Sequence, residues 1–215
     1  MLVKSFSPYL ILKYSKFGFK ETSMEIFVVR HGETDYNRLE KYSGITDIPL
    51  NKRGILQAHE LANRLRGKVF DSIISSPMLR TRQTADILCS ALDTTYTCDL
   101  LLKERSLGVY EGLTKEDVML KYPLLWSRQC TINPDDAPDG GETAREVCLR
   151  VKNVLSKLFY CYEGKTILLI THGFLSRAIH RFCLKLKIEE LRNFTLGNCE
   201  LAVYTIADID SYQDL

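Results

Sequence analysis

Apolar and polar positions alternate between two periods along this chain. Residues 26–29 (Ile26, Phe27, Val28, Val29) and 167–170 (Ile167, Leu168, Leu169, Ile170) are unbroken apolar runs with polar flanks. Such runs, short and rich in branched side chains, predict buried strands. Residues 70–75 and 95–99 read as further strands, and 201–206, which alternates more, as an edge strand. Between them the apolar residues recur at helical spacing. Leu56, His59, Leu61, Ala62 and Leu65 mark a helix over 55–66, with His59 at its boundary or surface. A second helix begins near Pro77, capped by Ser75 or Ser76, and runs to about Leu92. Thr114 caps a third over 113–122, with Asp117 completing a variant capping box. Val147, Val151, Val154, Leu155 and Leu158 form the core stripe of a long helix over 143–160, and 174–184 supplies another. Strands alternating with helices predict an α/β fold with a mostly parallel sheet covered on both faces. Residues 123–141, with three prolines and two glycines, break the pattern. They read as an irregular part of an insert at 113–141 that shapes specificity, with Trp126 as its hydrophobic anchor.

Both unbroken strands end in the same way. The first is followed by Arg30, His31, Gly32, Glu33 and Thr34; the second by Thr171, His172 and Gly173. Parallel neighbouring strands would bring His31 and His172 side by side, at the strand ends where open α/β sheets gather ligands. Gly32 is expected to allow close approach to a ligand or a positive φ. Arg80, on the first turn of a helix after Ser76 and Pro77, adds a cation where a helix N-terminus favours anions. Arg82 reads as solvated. Two carboxylates, Glu104 and Glu111, lie in a glycine-containing loop that also carries Gly108 and Gly112. Of the two, Glu111 reads as the loop-stabilising acid.

Composition narrows the picture. With 29 basic and 27 acidic residues the net charge is +2, which argues against a general nucleic-acid surface but allows a local cationic pocket. No apolar stretch approaches the roughly 20 residues that span a bilayer. The seven cysteines form no C-x-x-C pair and read as reduced thiols in a cytoplasmic protein. No zinc-ligand spacing is present, so no metal and no cofactor are expected. Residues 1–23, with four lysines and a single acid, read as an extension before a biological start at Met24. The remainder, 24–215, reads as one domain. Oligomeric state has no signature here.

The sequence Arg30-His31-Gly32-Glu33-Thr34, with Asn37, resembles the signature of the histidine phosphatase superfamily, the phosphoglycerate mutase-like proteins. Three further segments match in order: residues 75–85 around Arg80, residues 102–112 around Glu104, and Thr171-His172-Gly173. The resemblance spans 24–206 and implies a three-layer α/β/α sandwich with a mostly parallel sheet. It implies His31 as nucleophile and Glu104 as proton donor. Arg30, Arg80 and His172 would hold the phosphoryl group, His172 adding positive charge if protonated. Asn37, Thr34, Ser43, Gly44, Arg105 and Gly173 would line the substrate site. The implied reaction is metal-independent hydrolysis of a small phosphorylated metabolite through a phosphohistidine. A phosphoglycerate mutase and a non-catalytic phospho-ligand module are the alternatives. Arg105, Lys115 and Arg128 fall near the basic positions of mutases, but Leu107 and Ser127 stand where mutases are expected to carry tyrosine and arginine. That balance favours a phosphatase.

Overall fold

The computed structural model describes residues 23–206. The expected extension therefore lies, apart from Ser23, outside the described residues, as does the polar tail at 208–215. Five strands form one sheet: β1 (Met24–Arg30), β2 (Ser72–Ser75), β3 (Thr97–Cys98), β4 (Thr166–Thr171) and β5 (Leu201–Ile206). Their order is β3-β2-β4-β1-β5. The first four run parallel, and β5 lies antiparallel along β1 at the edge. The β1–β4 register pairs Ile26 with Ile167 and Arg30 with Thr171, so the two strands end together.

Among the described residues seven α-helices accompany the sheet: α1 (Asp35–Arg38), α2 (Lys52–Leu65), α3 (Leu79–Leu92), α4 (Lys115–Lys121), α5 (Pro123–Ser127), α6 (Ala144–Cys161) and α7 (Gly173–Leu184). Side chains alternate across the strands, and the core divides accordingly. Met24, Ile26, Val28, Ile167 and Leu169 pack with Val151, Leu155 and Ile179 of α6 and α7. Phe27, Val29, Leu168 and Ile170 pack on the other face with Leu61, Leu65, Ala85 and Leu88 of α2 and α3. This is the expected three-layer sandwich. Among the described residues, no helix is long and apolar enough to cross a membrane.

Several local expectations need correction. Leu56 is 63% exposed, because α2 turns Gly54, Ala58, Leu61, Ala62 and Leu65 inward. The strand expected at 95–99 shrinks to Thr97 and Cys98. Residue 78, not a serine, caps α3; Met78 has no side-chain cap bond, and the Asp47 carboxylate instead accepts from Leu79 N–H at 2.6 Å. Pro123 does not simply stop a helix: it opens α5, where a missing N–H costs nothing. Gly32 has no positive φ, and backbone of α2 approaches it closely. A Cβ there would lie 2.4 Å from the Gly54 carbonyl oxygen. The insert has a small core of its own, Tyr110, Val118, Leu125 and Cys130, on which Trp126 packs as the anchor.

Candidate active site

The carboxyl ends of β1, β2 and β4 deliver His31, Ser76 and His172 to one point. Backbone pairing continues one residue past the strands: His31 N–H donates to Thr171 O at 2.9 Å, and Ser76 N–H to Ile170 O at 2.9 Å. The imidazole centroids of His31 and His172 lie 5.3 Å apart. Between them sits the Arg80 guanidinium, 1% exposed. Its Nε–H is directed at both His31 Nε2 and His172 Nδ1, each at 3.2 Å.

This arrangement determines the tautomers. A guanidinium only donates, so both facing ring nitrogens present lone pairs. The remaining hydrogens sit on His31 Nδ1, which donates to Gly32 O at 2.7 Å, and on His172 Nε2, which donates to Ser76 Oγ at 2.8 Å. Burial pushes the pKa of each histidine well below its ordinary value, and the Arg80 charge pushes in the same direction. Both rings are therefore neutral. The sequence reading has His172 add positive charge only if it is protonated; here its ring accepts from Arg80 Nε–H and helps to place that guanidinium.

Arg80 is held from its far side as well. Nη1 donates to Thr46 O at 2.9 Å and Nη2 to Gly44 O at 2.8 Å, leaving one further hydrogen on each for a ligand. The loop carrying those carbonyls is clamped by Glu111. Its Oε1 accepts from Ile45 N–H and Leu107 N–H at 3.0 Å each, and its Oε2 from Thr46 Oγ1 at 2.6 Å. Glu111 is thus the loop-stabilising acid. Arg30 presents the second guanidinium. Nη1 donates to Leu196 O at 2.9 Å, while its Nε is buried and has no partner among the described residues. A buried, unpaired donor next to His31 is a position an anion would complete.

Glu104 stands at the N-terminus of α7. Its carboxylate accepts from Phe174 N–H at 3.1 Å, Leu175 N–H at 3.3 Å and Arg105 N–H at 2.9 Å. Asn37 Oδ1 accepts from Thr34 N–H and Asn198 Nδ2, which directs its NH₂ end to the cleft. These groups border a cleft of about 360 Å³ that also meets Ser43, Gly44 and Gly173. A second cavity of about 430 Å³ shares Thr131, Phe174, Leu191 and Arg192 with it.

Two of the expected substrate contacts have other duties. Thr34 is fully buried and caps α1 through Oγ1, supporting Asn37 from below instead of lining the cleft. Arg105 borders the cleft, but Nε donates to Glu142 O and Nη2 to Cys130 O and Asp136 O. It ties the insert to the acid loop. Arg128 pairs with Asp136, and Lys115 lies over the Trp126 ring at 5.5 Å. Arg82 is exposed. Sequence reasoning misses Ser76 as the partner of His172, and Asn198, whose Nδ2 also donates to His31 O at 3.0 Å. It misses Thr84, whose Oγ1 accepts from Gly32 N–H at 3.1 Å. Among the described residues, no cluster of three or more His, Cys, Asp or Glu side chains is placed to hold a metal ion.

Residues 26–211 match the family model "histidine phosphatase superfamily (branch 1)". The probable phosphoglycerate mutase GpmB of Yersinia pestis is 33% identical over 186 residues, 83% of each chain. Among solved structures, a mycobacterial glucosyl-3-phosphoglycerate phosphatase complexed with VO3 superposes with a TM-score of 0.76. It is 27% identical, over 83% of this chain and 91% of that one. A phosphoserine phosphatase from Entamoeba histolytica, in complex with 3-phosphoglyceric acid, is 30% identical with a TM-score of 0.73, over 84% and 89%. A putative α-ribazole-5′-phosphate phosphatase from Escherichia coli is 25% identical with a TM-score of 0.81, over 86% and 92%.

Proposed function

The chain belongs to the histidine phosphatase superfamily, and from that premise we propose that it is a metal-independent phosphomonoesterase working through a phosphohistidine. The observation that carries the proposal is the orientation of His31. With Nδ1–H donating to Gly32 O, its Nε2 lone pair faces the cleft between two guanidiniums. A neutral imidazole held in this way is a nucleophile at ordinary pH.

The steps follow from the donors available. Phosphoryl oxygens take up the unpaired Arg30 Nε–H and the remaining Arg80 hydrogens, together with the Asn37 amide. As they draw Arg80 Nε–H away, the His31 Nε2 lone pair is released. Nε2 attacks phosphorus, the P–O ester bond breaks, and the leaving oxygen takes the proton that the monoanionic ester brings in, passed on by Glu104. Water then attacks the phosphorus and passes its proton to Glu104. The P–N bond breaks, and orthophosphate and neutral His31 are regenerated. Gly32 O accepts from Nδ1–H throughout and stabilises the charge that the ring gains when Nε2 is phosphorylated. The seven free thiols support a cytoplasmic setting.

The engagement of Arg105, Lys115 and Arg128 elsewhere favours phosphatase over mutase. The mutase reading is kept alive by the 33% identity to a probable phosphoglycerate mutase. Turnover of p-nitrophenyl phosphate, measured with and without EDTA beside His31→Ala, tests the proposal. EDTA-resistant hydrolysis lost in the variant is the expected result. Activity that survives His31→Ala overturns it. Interconversion of phosphoglycerates with 2,3-bisphosphoglycerate, without release of orthophosphate, would transfer the assignment to the mutase.

A further inference from the structure

The catalytic steps leave part of the cleft's charge unexplained. Arg30, Lys41, Arg80, Arg105, Arg177 and Arg192 border it, against the single carboxylate of Glu104. A phosphate uses Arg30 and Arg80, and Arg105 is engaged by backbone carbonyls. Arg177, on the second turn of α7, is the notable remainder. Its Nη2 donates to Thr195 Oγ1 at 3.2 Å, next to the Leu196 carbonyl that holds Arg30. Its Nε is buried and has no partner among the described residues, the same condition as Arg30 Nε. Burial is the main influence lowering the Arg177 pKa; Glu104 opposes it and Arg192 adds to it. Arg177 in turn lowers the pKa of Arg30. Three guanidiniums thus follow one another along the cleft, with Arg177 between the phosphate end and Arg192, where the second cavity joins. Like charges gathered at a partly desolvated wall oppose one another unless an anion lies among them.

We propose that Arg177, with Arg192 near it on the same cleft wall, forms a second anion subsite, and that the substrate is a phosphomonoester whose leaving group carries a further acidic group. This rests on the phosphatase reading, with the ester phosphate seated at His31. A carboxylate and a second phosphate share the chemistry that a guanidinium recognises.

The test uses matched substrate pairs. 3-Phosphoglycerate is compared with glycerol 3-phosphate, and fructose 1,6-bisphosphate with fructose 6-phosphate. Within each pair kcat/KM is expressed as the ratio of acidic to neutral leaving group, so a general loss of folded enzyme cancels. Wild type should favour the acidic member of at least one pair, and which pair identifies carboxylate or phosphate. Arg177→Met should lower that ratio by roughly tenfold or more, acting mainly on KM, and Arg177→Lys should restore part of it. A wild-type ratio near one in both pairs overturns the proposal, as does a ratio unchanged in Arg177→Met. If no ester is hydrolysed, calorimetric titration with 3-phosphoglycerate and with glycerol 3-phosphate separates the two ideas. Tighter binding of the acid, lost in Arg177→Met, leaves the subsite standing and removes only the phosphatase reading. Equal binding of both removes the subsite.

Discussion

The neutral histidine pair couples the site to the stability of the whole fold through pH. His31 and His172 both have pKa values well below the ordinary 6.5, first because they are buried and then because Arg80 lies between them. In the unfolded chain each returns to about 6.5. Below that pH the unfolded state binds more protons than the native state, so stability rises with pH across this window. The contribution is fully present above pH 6.5 and is lost as pH falls toward the folded values. Each group supplies up to about 1.4 kcal/mol per pH unit. Between pH 7.5 and 5.5 the pair should therefore cost about 2.7 kcal/mol of unfolding free energy. Urea denaturation at several pH values in that range measures it. A His31→Asn/His172→Asn variant serves as the reference, since it removes these two rings and keeps every other ionisable side chain. The variant's loss over this range should be smaller than the wild type's by about 2.7 kcal/mol. Parallel pH profiles would refute the reasoning, because they would mean that the native state protonates these rings as readily as the unfolded chain does.

Two further outcomes test the scaffold. Glu111→Ala removes the clamp on the loop whose Gly44 and Thr46 carbonyls hold Arg80. It should lower kcat for p-nitrophenyl phosphate by roughly tenfold or more while leaving a folded protein by circular dichroism; an unchanged kcat would show that Arg80 needs no such support. Gly32→Ala places a Cβ 2.4 Å from the Gly54 carbonyl oxygen, where backbone cannot yield as a flexible side chain would. A loss of about 1–3 kcal/mol in urea unfolding is expected, and a neutral effect would mean that α2 shifts freely away from the loop after β1.

Much of the architecture was legible because it repeats locally. Residues 26–29 and 167–170 announce buried strands by composition, and Arg30-His31-Gly32 and Thr171-His172-Gly173 announce what their ends carry. Parallel pairing then brings the two rings together. Less visible were groups whose meaning depends on distant partners. Ser76 looks like a helix cap until His172, 96 residues away, is placed against it. Asn198 and Thr84 reach His31 O and Gly32 N–H, the loop after β1, across separations of 167 and 52 residues. Leu56 misleads for a related reason. It is apolar and in phase with one possible stripe, but the close approach of Gly54 to Glu33 rotates α2 so that Leu56 faces solvent. The charge state of His172 was likewise beyond reach, since it follows from burial and from Arg80, not from neighbours in the chain.

The pairing of His31 N–H with Thr171 O has a consequence for how this protein fails. That amide belongs to the ladder between the two most deeply buried strands, which opens only when the sheet does. Its hydrogen should exchange with deuterium at the rate of global unfolding, in company with residues 26–29 and 167–170. The reactive centre therefore has no separate melting event. A population that has lost the geometry around His31 has also lost its core, and thermal inactivation should track the loss of secondary structure degree for degree. The insert is different: its small core around Tyr110 and Cys130 sits on one edge of the cleft. It can breathe without disturbing the strands that carry His31 and His172.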